Sequence, residues 1–413
     1  MPPTIAPRTP GSSPRAGANR FALALASSLA AVLVVAIAYQ FVRPEPGEAV
    51  GVGEPVVEEG GVPAWIQPIL AEPDESQRPA LVPRLPEGVK LSILEGREEV
   101  LVTDPWVYFR RPENRSRVLH WREHPDGEFV RATGVAGLRL TGPLPAQRPE
   151  PLIVLTGDSH MDGVCAEDET AAAVLEANLA LRPGVEAVRV LNAGVGQYTF
   201  PHYLAVAWRY LELAPDVLVV VVFGGNDFGA IDSVEAELAG EPEPVRPAGY
   251  DQHIQRVVKT KLAGRRGGAS LWQALNQVYL FEVQPELETR SVERSLVYLE
   301  EIDRMARARG TRFIAAYLPP MHDVREEFSR NLYASLFKEL EIDESALASS
   351  NRVADAMLAG LEARGIETVD ARPTLREWPG HLYWVADEHL NTVGHRLLGE
   401  LLAQRLAEPR AGE

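Results

Sequence analysis

The chain has 413 residues, 46% of them hydrophobic and 7% aromatic, and a formal net charge of −17. That length holds one large domain or two smaller ones with a substantial core, and the negative balance argues against a nucleic-acid partner, whose phosphates it would repel. The one cysteine, Cys165, excludes an internal disulfide framework and a cysteine-rich zinc site, and reads as a small buried hydrophobe near the start of a helix.

Residues 1–20 carry Arg8, Arg15 and Arg20 and no acid, and read as a cytoplasmic basic segment. The uncharged run Phe21 to Val42 follows. At about 1.5 Å per residue it gives roughly 33 Å of helix, which predicts a transmembrane signal anchor over 21–42. The chain beyond it is then extracytoplasmic, with the cell membrane as a partner. Ala36-Ile37-Ala38 also has the small-x-small form of a cleavage site, so a secreted or periplasmic product after signal cleavage is the alternative.

Residues 43–63 are rich in Pro, Gly, Glu and Val without sustained periodicity, and predict an acidic flexible tether. Residues 64–150 hold short β-like runs ("KLSILEG", "EEVLVT", "WVYFRR", "EFVRAT", "GLRLTG") and predict a small β-rich lead-in packed on the main domain.

From Pro151 strands alternate with helices: "PLIVLT", a helix around "TAAAVLEANLALR", "EAVRVLN", "PHYLAVAWRYLELA", then "DVLVVVVFG". Continuous Val-rich runs suit parallel strands covered on both faces. A mixed-charge helical insertion over about 229–290 interrupts this rhythm. It resumes with "RSLVYLEEIDRMARARG", "TRFIAAYLP", "GIETVDAR" and a last helix, "TVGHRLLGELLAQRL". The pattern predicts an α/β fold over 151–408 with a doubly wound, mostly parallel sheet.

In such sheets reactive groups gather at the C-terminal strand ends. The polar tails there are "GDSH", "NAGVGQYT" and "GGND", with "ADEHLN" ahead of the last helix. Ester cleavage needs a nucleophile, a base, a group to orient the base, and donors for the oxyanion. Ser159 on a strand-to-helix turn, His389 and Asp387 near the end of the chain, and the neutral amide of Asn226 fit those needs.

These blocks, Gly157-Asp158-Ser159, Asn192-Ala193-Gly194-Val195-Gly196, Gly224-Gly225-Asn226-Asp227 and Asp387-Glu388-His389, resemble those of the SGNH/GDSL hydrolase superfamily over roughly residues 151–405. The resemblance implies a flavodoxin-like three-layer sandwich and a serine esterase acting through an acyl-enzyme. It makes Ser159 the nucleophile, His389 the base and Asp387 its orienting partner. The oxyanion hole falls to Ser159, Gly196, Gln197 and Asn226, with Asp158 and Asp227 in support. No cofactor and no metal are implied, and the substrate is a small-molecule or glycan acyl ester.

Two departures stand out. Where many relatives read N-x-G-x-x-G, the last glycine is Gln197. The acid lies two residues before His389, a shorter spacing that resembles envelope-polysaccharide O-acetyl esterases and acetyltransferases, so an O-acetyltransferase is one alternative. A second is a calcineurin-like metallophosphoesterase, because Asp158-Ser159-His160 matches an Asp-x-His metal block. A non-catalytic glycan-binding pseudo-hydrolase is the third. His395 on the last helix reads as structural, and His202 and His381 as structural or substrate-facing rather than catalytic. His160 could touch ligand, and Trp272 and Tyr279 fit a helix's apolar face as well as a substrate cap.

Overall fold

The computed structural model describes residues 61–408 except Glu98, Glu186 and 258–268. The basic segment 1–20, the anchor 21–42 and nearly all of the tether 43–63 lie outside the described residues. No helix among the described residues is long and apolar enough to cross a membrane. The predicted anchor, and with it the membrane as a partner, is therefore corrected: none of the described helices can serve as one.

The chain has an α/β fold around a parallel five-stranded sheet. Its strands are β5 (Leu152–Gly157), β6 (Arg189–Asn192), β7 (Val217–Phe223), β8 (Arg312–Leu318) and β9 (Glu367–Asp370), in spatial order β6-β5-β7-β8-β9. Every residue of β5 and β7 is buried, which is why both read as unbroken apolar runs rather than alternating ones. Successive residues still diverge. Leu152 and Val154 face one helical layer with Leu218 and Val220, while Ile153 and Leu155 face the other with Val219 and Val221. Full burial of each such side chain contributes about 1.5–3 kcal/mol.

One layer holds α3 (Phe200–Tyr210), α4 (Asp227–Ala239), α6 (Ala269–Val283) and α7 (Pro285–Ala308). The other holds α2 (Ala171–Ala180), α11 (Arg372–Glu377) and α12 (Thr392–Ala407). The one-turn helix α1 (Ser159–Asp162) follows β5. The remaining helices are α5 (Tyr250–Val257), α8 (Met321–Val324), α9 (Glu326–Leu340) and α10 (Ala348–Glu362).

Within the expected insertion, α4 starts directly after Asn226 and continues to Ala239, where Gly240 closes it with φ 69°. At the other end, α7 begins at Pro285, ahead of the predicted start at Arg294, because proline at a first helical position needs no N–H partner. The segment between those two helices carries α5 and α6.

The lead-in has less strand than its apolar runs suggest. It forms two hairpins, β1 (Val102–Asp104) with β2 (Tyr108–Arg110) and β3 (Arg115–His120) with β4 (Glu128–Thr133). "KLSILEG" contains a 3₁₀ turn over Ser92–Leu94, and "GLRLTG" makes only an isolated bridge, Arg139 to Asn192. Neither run finds a partner strand along its length among the described residues. Ile66, Leu91, Tyr108 and Phe109 join the same core as Trp208 and Tyr203 of α3, so the lead-in shares the core of the sheet instead of building its own.

Candidate active site

Strand β5 ends at Gly157, where a Cβ would lie 2.5 Å from Met161 Cγ and 2.9 Å from the Val221 carbonyl oxygen. Only glycine lets the strand turn so tightly into α1. Asp158 caps that helix by accepting the His160 N–H at 2.9 Å, and Ser159 is its first residue. The Asp158 carboxyl is buried 3.3 Å from Ser159 Oγ. Burial raises its pKa to about 6, against the His160 N–H bond and the nearby His389, which lower it.

From the far end of the chain, His389 Nε2 lies 2.9 Å from Ser159 Oγ, and His389 Nδ1–H donates to Asp387 Oδ2 at 2.7 Å. The backbone between Asp387 and His389 turns sharply. Glu388 sits at φ 62°, and the His389 N–H donates to Asp387 Oδ1 at 3.0 Å. That short-range turn lets a two-residue spacing do what a longer one does elsewhere. Burial opposes a charged His389, but the charge and hydrogen bond of Asp387, helped by Asp158, outweigh it and raise the pKa above 6.5.

The second tail packs against α1. A Cβ on Gly194 would lie 2.7 Å from Met161 Cβ, and the Gly196 Cβ position is 3.6 Å from Ser159 Cβ. Asn192 ties the two segments, donating to the Met161 carbonyl at 2.8 Å and accepting the Gly194 N–H at 3.0 Å. Gln197, in the place of the expected glycine, adopts φ 76°, a left-handed conformation that costs a non-glycine residue about 1–3 kcal/mol.

In the third tail, Asn226 precedes α4 and donates Nδ2–H to Gln273 Oε1 at 3.2 Å. Asp227 is fully buried and accepts from Tyr203 Oη and the Phe223 N–H, both at 2.8 Å. Burial, with Asp158 nearby, holds its pKa well above the carboxylate range.

His160 is walled off from ligand. Its Nδ1 accepts the Leu390 N–H at 3.1 Å, so Nε2 carries the proton and faces Ser270 Oγ at 3.2 Å. Burial lowers its pKa well below 6.5. Asp158 is thus engaged within the turn and His160 by Leu390 and Ser270, and among the described residues no group of three or more His, Cys, Asp or Glu is arranged to hold a metal ion. His395 is fully buried, with Nδ1 accepting the Ala171 N–H at 3.2 Å. His202 stacks on Tyr198, and His381 is exposed. Trp272 packs against the core and Tyr279 stacks on Tyr250.

Three groups of site residues were not foreseen. Glu123, in the turn of the β3–β4 hairpin, accepts the N–H groups of Val385 and Ala386 at 2.6 and 2.8 Å, just before Asp387. Arg111, Arg131 and Arg139 of the lead-in grip the loop after α1. Arg111 pairs with Asp162, Arg131 donates to the Gly163 carbonyl at 2.6 Å, and Arg139 donates to the carbonyls of Gly163 and Cys165 and pairs with Glu167. Burial would raise the Asp162 pKa, but these arginines hold it at about 2. The third group is Ser270, Gln273 and Gln277 of α6. No local sequence pattern announces contacts this far apart in the chain.

Among solved structures, the chain is similar to an acetylxylan esterase from Geobacillus stearothermophilus (12% identity, 65% of this chain and 99% of the other, TM-score 0.38). It is also similar to an alpha/beta hydrolase from the metagenome of Lake Arreo, Spain (17%, 64% and 99%, TM-score 0.35), and to a lipolytic protein of the G-D-S-L family from Veillonella parvula (12%, 62% and 99%, TM-score 0.34). Likenesses this distant say nothing about substrate. No curated protein matches the chain. Residues 155–397, more than half of the chain and the span from the first strand tail past His389, match the GDSL-like Lipase/Acylhydrolase family, and the chain belongs to that family.

Proposed function

We propose that the protein is an exported serine esterase that cleaves short acyl esters, acetyl esters first among them, from a small molecule or a glycan. The reading is carried by the hydrogen-bonded series Ser159 Oγ, His389, Asp387, at 2.9 and 2.7 Å. In this reading His389 Nε2 takes the Ser159 proton as Oγ attacks the ester carbonyl, and Asp387 keeps the imidazole in the tautomer whose Nε2 is free to accept it. The developing oxyanion is met by the Ser159 N–H, an amide N–H from Gly196 or Gln197, and Asn226 Nδ2. His389 then protonates the leaving alcohol, and water, deprotonated by the same histidine, releases the acid. Preference for a short acyl group is supported by the two-residue Asp-His spacing, which resembles that of O-acetyl esterases. Export is supported by the Arg-flanked apolar segment Phe21 to Val42, with the small-x-small site Ala36-Ile37-Ala38 inside it.

The same spacing supports a second reading, in which a sugar hydroxyl replaces water and the protein is an O-acetyltransferase. One set of assays separates the possibilities. A fluorophosphonate probe labels the wild type and leaves Ser159→Ala unlabelled. p-Nitrophenyl acetate turns over faster than butyrate or octanoate, and EDTA leaves the rate unchanged. Turnover that appears only with a glycan acceptor favours the transferase. Loss of turnover with EDTA, restored by added metal, discards the serine mechanism.

A further inference from the structure

Helix α6 meets the strand ends through Ser270, Gln273 and Gln277, spaced to lie on one face of the helix. Ser270 Oγ holds His160 beside the nucleophile. Gln277 accepts the Gly229 N–H at 2.7 Å and donates Nε2–H to the Gly224 carbonyl at 2.6 Å, bracketing Asn226 on both sides along the chain. The Leu271 N–H, on the same turn, donates to the Asp387 carbonyl at 3.3 Å. Between these contacts, Gln273 Oε1 takes one of the two hydrogens on Asn226 Nδ2.

Asn226 Oδ1 is buried and has no partner among the described residues. The Asn226 side-chain amide is therefore held at one point only, its bond to Gln273. A terminal amide torsion is broad and roughly two-fold, so an amide released from that bond turns readily and presents its carbonyl oxygen where its N–H had been. An oxygen facing a developing oxyanion repels it.

We propose that Gln273 is the positioning residue of the oxyanion hole: by taking one Asn226 hydrogen it fixes the amide plane and aims the other hydrogen at the oxyanion formed over Ser159. The inference deepens the esterase reading and rests on it. It also gives the segment between α4 and α7 a role in turnover, since α6 touches the residue after the first motif block and residues of the third and last blocks.

A double-mutant cycle in the full-length chain tests it. Gln273 is half-buried, and Leu271, Ala274, Leu275 and Val278 keep α6 in the core, so Gln273→Leu is expected to melt within a few degrees of wild type. Gln273→Met serves as a second variant if it does not. Asn226→Ala is expected to lower kcat about 10²- to 10³-fold. Gln273→Leu is expected to lower kcat roughly 10- to 100-fold with KM little changed, the size of effect a misaimed group produces. In the Asn226→Ala background, Gln273→Leu is expected to add less than about twofold, because there is no amide left to aim.

A kcat for Gln273→Leu equal to wild type overturns the proposal, and so does a loss that multiplies in full with that of Asn226→Ala. Those results leave the esterase reading standing. If wild-type turnover does not depend on Ser159, or if Asn226→Ala is fully active, the esterase reading or its oxyanion donor fails first and the role of Gln273 falls with it.

Discussion

Asp387 commits both carboxylate oxygens to His389, one to its backbone N–H at 3.0 Å and one to its ring Nδ1 at 2.7 Å. Asp387→Asn can keep the first bond through its remaining oxygen. Its NH₂ group then faces Nδ1, forces that nitrogen to accept, and moves the ring proton to Nε2, where it blocks removal of the Ser159 proton. The expected loss in kcat is on the order of 10⁴-fold with the fold intact. His389→Ala loses at least as much, and His395→Ala loses stability but little turnover. Steady-state kinetics on p-nitrophenyl acetate decides it, and near-normal turnover by a folded His389→Ala protein would show that another group is the base.

In the proposed mechanism the same pair sets the acid limit of activity, because taking the Ser159 proton needs neutral His389, whose pKa is raised above 6.5 by Asp387 against the effect of burial. The rate is therefore full above that raised pKa and declines as pH falls through it. In Asp387→Asn the raising charge is gone while burial remains, so the acid limb of the residual kcat/KM profile shifts to lower pH. A limb that stays in place assigns the titration to another group.

Stability at low pH follows from other histidines. Burial lowers the pKa of His202, His322 and His395 to about 3 and that of His160 well below 6.5. These four are neutral in the fold and take up protons when the chain unfolds below pH 6.5. Asp158, Asp227, Glu167 and Glu243 work in the opposite sense, since burial raises all four and each releases protons on unfolding. At pH 5 the four histidines take up more than these acids release, so unfolding takes up protons and stability falls as pH drops toward that value. Calorimetry in two buffers of different ionisation enthalpy counts those protons, and a net release at pH 5 contradicts the assignment.

Gln197 at φ 76° predicts a gain from glycine. Gln197→Gly relieves the backbone strain at some cost in unfolded-chain entropy, for a net gain of about 0.5–1 kcal/mol in urea denaturation. Gln197→Val, β-branched at the same φ, loses stability and turnover together. Equal stability for all three side chains would mean that the turn relaxes freely.

Arg139 is almost fully buried and holds both Glu167 and the backbone after α1. Arg139→Met removes the cation paired with Glu167 and the donor to the Asp162 and Cys165 carbonyls, and is expected to cost about 3–5 kcal/mol. Thermal melting measures the loss, and a change below about 1 kcal/mol would mean that the loop holds itself.

The parts of this molecule legible in its sequence are those governed by neighbours in the chain. The buried runs of β5 and β7 announce a covered parallel sheet, and Gly157-Asp158-Ser159 announces a strand breaking into a capped turn. What stayed hidden depends on groups far apart. The bond between Asn226 and Gln273 joins residues 47 positions apart, and Glu123 reaches Ala386 across 263. Nothing in either local sequence distinguishes such a side chain from an ordinary surface amide or carboxylate. The φ of Glu388 was also unreadable, because glutamate is not a residue that advertises a left-handed turn.

The hairpin contact has a consequence for anyone trimming the gene. The segment that matches the family opens at residue 155, yet the carboxylate that receives the Val385 and Ala386 N–H groups belongs to Glu123, and the arginines that hold the Gly163 loop come from 111, 131 and 139. A clone cut at the edge of the recognisable hydrolase would contain every motif and still lack the clamps on the loops after Ser159 and before Asp387. The smallest unit worth expressing therefore includes the lead-in, and boundaries drawn by resemblance alone would discard residues that hold the candidate site together.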